Sequence, residues 1–184
     1  MIAYDLIGQT PLVLLESFSD ENVKIYAKLE QFNPGGSIKD RLGKYLIEKA
    51  IDEGRLKEGD TIVEATAGNT GIGLAIASNR HKVKCIIFAP EGFAEEKISI
   101  MKALGADVRR TPKVEGMTGA QQEALAYATR YGYLYMNQFE TKDNPGAYTQ
   151  TLAKQLTDEL SHIDYFVAGV GSGGTCLLYT SDAA

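Results

Sequence analysis

The sequence predicts an α/β fold built on a parallel sheet that is buried on both faces. Three observations carry this. Short apolar runs alternate with segments of helical period along the chain. The runs are continuous rather than alternating, as strands covered on both faces must be. Three of the loops that lead from a run into a helix are rich in Gly, Ser, Thr and Asn, and in open parallel sheets such loops are where ligands sit.

The elements follow in order. "KIYAKLE" (24–30) reads as a strand. Ser37 is placed to cap a helix, with Asp40 three residues on in a capping-box pattern. Ile38, Leu42, Tyr45, Leu46 and Ala50 keep helical spacing, and Gly54 is placed to end that helix. "TIVEA" (61–65) is a strand, followed by the loop "TAGNTG" and the small-residue helix "GIGLAIAS". "VKCIIFA" (83–89) is the next strand. "EEKISIMKALG" (95–105) is a helix with Ile98, Met101 and Leu104 on one face and Gly105 at its end. A short strand is expected near "ADVRR", then a helix over "AQQEALAYATRYG" (120–132), a strand over "YLYMNQF" (133–139) and a helix over "AYTQTLAKQLTDEL" (147–160). "YFVAGVGSGGT" (165–175) reads as a strand running into glycines. No repeat and no low-complexity linker interrupts the pattern.

Composition bounds the function. The 184 residues allow one or two domains with a sizeable core. Acidic residues exceed basic ones, 24 to 19, and no basic patch stands out, so nucleic acid is not expected as a partner. No apolar stretch is long enough for a membrane span, and the N-terminus lacks the pattern of a secretion signal. Cys85 lies in an apolar run and reads as a buried, reduced thiol, which fits a cytoplasmic setting. His81 and His162 have no metal-ligand partner at useful spacing, so no metal site is expected.

The three loops carry the chemistry. In "NPGGSIKDRLG" (33–43) Lys39 stands just past two glycines at the mouth of an amphipathic helix. The dipole disfavours a cation there, so the lysine is either an ordinary first-turn residue or one that is wanted uncharged. The spacing is not that of a Walker phosphate loop. In "TAGNTG" (66–71) backbone N–H groups, two hydroxyls and the Asn69 amide gather at a positive helix end, a good place for a carboxylate. In "GVGSGGT" (169–175) glycines let backbone N–H groups surround an anion, and Ser172 and Thr175 add hydroxyl donors; a phosphate is the natural guest. The same loop matches G-x-G-x-x-G after a strand, which leaves a nucleotide-binding module as an alternative of another class. The Tyr127, Tyr131, Tyr133 and Tyr135 cluster reads as packing. A lysine, an asparagine loop and a phosphate cup in one chain together suggest a phosphorylated aldehyde cofactor bound to an amine.

Taken as a set, "LIGQTPLVLL", "KLEQFNPGGSIKDR", "VEATAGNTGIGLA", "APEGFAEEKISIMKALGADV", "NQF" and "VAGVGSGGT" resemble the cysteine synthase and cystathionine β-synthase family of pyridoxal 5'-phosphate (PLP) enzymes. The resemblance runs in order through nearly all of residues 6 to 175. It implies the three-layer fold type II of tryptophan synthase β, with the second domain incomplete here. It implies that Lys39 binds PLP as an imine and acts as the catalytic base. Asn69 would bond the cofactor's phenolic oxygen, and Gly171, Ser172, Gly173, Gly174 and Thr175 would hold its phosphate. Thr66, Ala67, Gly68, Asn69 and Thr70 would bind the substrate carboxylate, with Gln138 beside the substrate. Burial and the positive helix end would both keep the Lys39 amine neutral. The implied reaction is β-replacement on O-acetylserine by sulfide, giving cysteine. Homocysteine as the nucleophile, giving cystathionine, is the alternative, and a serine or threonine dehydratase is another on the same fold. Ala67 stands where many cysteine synthases have serine, which removes one polar contact and weakens any choice between the thiols.

The resemblance also implies a division of the chain. Residues 1–36 would belong to the large domain, 37–145 would form a small α/β domain, and 146–175 would begin the rest of the large domain. The string "CLLYTSDAA" (176–184) reads as a translated sequencing adapter and is expected to be non-native. The remaining half of the fold would supply the partner of the pyridine nitrogen. The chain as written is therefore expected to be inactive and poorly soluble, and its full-length parent to be a homodimer.

Overall fold

The computed structural model describes residues 2–176. The expectation of a non-native tail lies outside the described residues except for Cys176.

The chain opens with two short strands, β1 (Leu12–Leu14) and β2 (Tyr26–Lys28), which pair antiparallel in a sheet of their own. The strand expected over 24–30 is thus present but short, and it does not join the parallel sheet. Helix α1 (Lys39–Asp52) follows, and Gly54 adopts the left-handed φ of +69° that closes it. Then come β3 (Thr61–Ala65), α2 (Asn69–Arg80), β4 (Lys84–Pro90), α3 (Glu95–Ala103), β5 (Asp107–Thr111), α4 (Gly116–Tyr131) and β6 (Leu134–Tyr135). The four strands β3 to β6 form one parallel sheet in the order β5-β4-β3-β6, with Ala65 opposite Phe88 and Ile62 opposite Leu134.

Layering follows from the alternation of side chains across the pleat. Ile62, Ile87 and Ala89 face the side covered by α1, α2 and α3, where Leu42, Leu46, Leu74 and Met101 complete a core. Val63, Ala65, Ile86 and Phe88 face α4 and meet Ala120, Ala124 and Ala128. All of β3 is buried, as its continuous apolar run requires. Tyr127, Tyr131 and Tyr133 stack among themselves with centroids 4.5–6.0 Å apart, and Tyr127 lies 5.6 Å from Phe88.

Three expectations change. The strand expected over 133–139 is only the two residues of β6. The helix expected over 147–160 is built in three pieces: α5 (Asn144–Tyr148), a π-helical stretch (Thr149–Ala153) and α6 (Lys154–Glu159). The hydroxyl of Thr149 donates to Gly146 O and that of Thr151 to Ala147 O. Side chains that claim carbonyls in this way loosen the regular ladder. The segment 165–171 is not a strand. Among the described residues none runs beside it to form a ladder, and Tyr165, Val167 and Val170 are exposed. No described helix is long and apolar enough to cross a membrane.

Candidate active site

Lys39 is the first residue of α1, and the chain reaches it through a turn that Gly36 makes at φ +80°. The N-cap is Ile38 rather than the expected Ser37, which stands one residue earlier, its Oγ accepting the Lys39 N–H at 3.1 Å. Asp40, however, reaches back past Ser37 to accept the Gly35 N–H. A Cβ at Gly35 would stand 2.5 Å from Asp40 Oδ1, so a larger residue there would displace the carboxylate that accepts this N–H. Burial pushes the Asp40 carboxyl up to about 6.

The Lys39 ammonium stem runs inward to two hydroxyls. Its Nζ donates to Tyr148 Oη at 3.1 Å and to Ser172 Oγ at 3.2 Å. No carboxylate pairs with it among the described residues, and burial holds its pKa below the usual lysine value. This is the environment that favours a neutral, nucleophilic amine.

Behind Ser172 stands a second set of bonds. Asn144 Nδ2 donates to Ser172 Oγ at 2.9 Å and to Gln138 O at 2.6 Å. The Gln138 side chain accepts the Thr70 hydroxyl through Oε1 at 2.6 Å. The backbone N–H of Gln138 donates to Glu64 Oε2 at 3.0 Å, and Glu64 Oε1 accepts the Ala65 N–H at 2.7 Å. One bonded path therefore leads from β3 through Gln138, Asn144 and Ser172 to the Lys39 amine. Burial raises the Glu64 carboxyl to about 7, against the two N–H bonds that favour its charged form.

The first turn of α2 is poor in internal partners. The Gly68 N–H donates to Thr66 Oγ1 at 3.1 Å, and α2 begins at Asn69. The half-buried Asn69 amide has no hydrogen bond among the described residues. The glycine loop is similarly open. At Gly171 and Gly173 no atom lies within 4 Å of where a Cβ would be, and Gly173 takes φ +81°. Gly174 instead backs onto the protein: a Cβ there would collide with Asn144 Oδ1 and stand 2.6 Å from the Tyr148 ring. Burial pushes the Tyr148 hydroxyl up to about 12, with Thr175 beside it acting the other way.

The structure thus brings Lys39, Ser172 and Thr175 together, and links Thr70 and Gln138 to them. Ala67, Gly68 and Asn69 sit at the α2 terminus without a direct bond to that cluster. Three participants were not singled out from the sequence. Glu64 left a signal, as a carboxylate inside an otherwise apolar strand. Asn144 and Tyr148 left none, since only the fold carries them across to Lys39. The residues present suit a phosphorylated pyridine aldehyde. The partly buried amine, its pKa lowered, faces a loop with room for a phosphate at Gly171 and Gly173.

A sequence profile described as pyridoxal-phosphate dependent enzyme matches residues 3–177. The chain belongs to that family. Among its relatives, the O-acetylserine dependent cystathionine β-synthase of Bacillus subtilis (strain 168) is 50% identical over 174 residues, which are 93% of this chain and 57% of that protein. A cysteine synthase of Helicobacter pylori (strain ATCC 700392 / 26695) is 48% identical, again over 93% of this chain and 58% of that protein. The chain therefore spans somewhat over half the length of these family members. Solved structures agree in fold. The O-acetylserine dependent cystathionine β-synthase of Helicobacter pylori superposes with a TM-score of 0.88 at 46% identity, covering 95% of this chain and 60% of that one. Cysteine synthase from Entamoeba histolytica does so with a TM-score of 0.89 at 34% identity, covering 99% and 57%. The sheet and its helical layers are those of PLP fold type II.

Proposed function

We propose that the protein to which this chain belongs replaces the β-substituent of O-acetylserine with sulfide and so forms cysteine. The observation that carries the reading is the Lys39 amine, partly buried, without a carboxylate partner among the described residues and held by the hydroxyls of Ser172 and Tyr148. The 48% identity to a cysteine synthase supports the choice of reaction.

In this reading Lys39 anchors the PLP aldehyde, Gly171, Ser172, Gly173, Gly174 and Thr175 hold its phosphate, and Asn69 meets its ring hydroxyl. When bound, the cofactor draws off the electron pair left at the substrate α-carbon. The chain's own residues do the rest. Thr66, Ala67, Gly68, Asn69 and Thr70 offer backbone N–H groups and hydroxyls to the substrate carboxylate at the positive end of α2. Gln138, held by Thr70, borders the same place. Once the substrate amine has displaced it from the aldehyde, Lys39 Nζ takes the α-proton, a step that needs the amine uncharged; burial shifts the amine in that direction. Acetate leaves the β-carbon, the thiol adds there through sulfur with loss of its proton, and Lys39 Nζ returns the α-proton.

Homocysteine as the thiol is a second reading, favoured by the 50% identity to an O-acetylserine dependent cystathionine β-synthase. Product analysis with O-acetylserine and each thiol separates the two. The test of the shared reading is hydride trapping. The protein should be yellow, and borohydride followed by peptide mass spectrometry should leave a pyridoxyl group on Lys39; K39A should lose that label. A colourless protein that releases a nucleotide on denaturation overturns the proposal in favour of a nucleotide-binding module. Release of keto acid and ammonia from serine or threonine would favour the dehydratase.

The domain division at 36/37 and 145/146 belongs to the same reading. It is supported by the bonds that join the flanking segments to each other: Lys28 Nζ to Glu159 at 2.8 Å, and Gln155 Nε2 to Gly8 O at 2.7 Å. A homodimer and a cytoplasmic setting complete the proposal; the buried, unpaired thiol of Cys85 agrees with the latter.

A further inference from the structure

Glu64 is the odd residue of its strand. Every residue of β3 is buried, and Glu64 is 1% exposed. Its oxygens bond backbone N–H groups and, among the described residues, no cation. A buried carboxylate without a cation is costly, and an apolar side chain would serve the core better, so the position is explained by what the carboxylate holds.

What it holds is the point where the chain leaves the sheet. Met136 makes the last ladder-like bond, its N–H donating to Val63 O at 3.0 Å. Asn137 then turns away with φ +45°, in the left-handed region. The next N–H belongs to Gln138, which is 5% exposed and has no ladder carbonyl opposite it. Glu64 Oε2 fills that role, as a side chain standing in for the strand. Beyond this tie, Gln138 Oε1 accepts the Thr70 hydroxyl and Gln138 O accepts Asn144 Nδ2. The carboxylate of Glu64 thus determines where Gln138 meets the first turn of α2.

We propose that Glu64 is a positioning residue for the substrate-carboxylate site, acting through the Gln138 N–H to hold the Gln138 side chain against Thr70. The proposal rests on the reading given under Proposed function. It predicts more than a loss of stability, because the cofactor contacts at Lys39 and Ser172 lie at the far end of the path.

The test uses the whole protein with E64Q, whose amide must turn its NH2 toward one of the two backbone donors. The KM for O-acetylserine should rise about tenfold, with kcat within about threefold of the parent. PLP absorbance per mole of protein should be unchanged. Amide hydrogen exchange at Gln138 should be at least about tenfold faster. An unchanged KM in a folded, PLP-loaded E64Q protein overturns the proposal, and so does a KM rise that comes only with loss of PLP. Should E64Q not fold, E64D decides by the same readouts, since its shorter carboxylate keeps the charge but withdraws from Gln138. A protein that does not use O-acetylserine at all fails the earlier reading instead; exchange at Gln138 in E64Q then decides whether Glu64 holds this loop.

Discussion

Lys39 sits where three unfavourable features for a cation coincide: a helix N-terminus, partial burial and hydroxyl rather than carboxylate partners. A side chain kept there for chemistry is kept at the expense of stability. K39M should therefore raise Tm by about 2–4 °C while abolishing hydride-trapped label; differential scanning calorimetry of the two proteins checks it. At this scale three loops stood out in advance, because Lys39, Thr70 and Ser172 each stand in one whose composition suits an anion or an amine; Gln138, expected inside a strand, was named only by the family resemblance. Tyr148 and Asn144 did not stand out, because a tyrosine or asparagine in a helical stretch is ordinary until the fold carries it to Lys39 and Ser172.

The elements bring these side chains within reach through a close helix contact. Helices α1 and α2 cross at Gly43 and Gly73. A Cβ at Gly73 would collide with the Lys39 carbonyl oxygen, and one at Gly43 with the Gly73 backbone. Backbone on both sides cannot yield as a flexible side chain can. G73A should cost about 3 kcal/mol in urea unfolding and also shift Lys39, which weakens PLP binding; denaturation midpoints and cofactor titration measure the two effects. The helical period of "GIGLAIAS" announces α2, yet not that its glycines are there for α1. The same limit explains the helix after β6. Its apolar period continues through 147–160, while the threonine hydroxyls that produce the π-helical stretch act on carbonyls one turn back.

Across the whole molecule, Arg41 is the chief tie. It is 2% exposed. It bonds both Glu30 oxygens at 2.8 Å, the Gly8 carbonyl at 2.9 Å and Gln155 Oε1 at 2.7 Å, joining the N-terminal segment, α1 and α6. R41A strands Glu30 without its cation and should cost about 3–5 kcal/mol, read from chemical unfolding. Buried carboxylates also set the pH response. Glu64 and Asp40 titrate at about 7 and about 6, above the usual carboxylate range. Between roughly pH 4 and pH 7 the native chain keeps protons that the unfolded chain has released, so stability falls as pH rises through that window and levels above it. Glu30, held below the usual range by Arg41 against its own burial, works the other way and loses its contribution as the medium becomes more acid. Urea midpoints should therefore peak near about pH 5, and D40N should flatten part of the decline toward pH 7.

Local patterns were enough for the parallel sheet, its helices and the loops that carry Lys39, Thr70 and the glycines, because hydrophobic period, caps and turn residues act over a few neighbours. The pairing of β1 with β2, the failure of 165–171 to form a strand and the bonded path from Glu64 to Lys39 needed the folded chain. Each depends on which segment lies alongside another in space. A buried carboxylate, a lone strand and a distant tyrosine acquire their roles only from partners that are remote along the backbone.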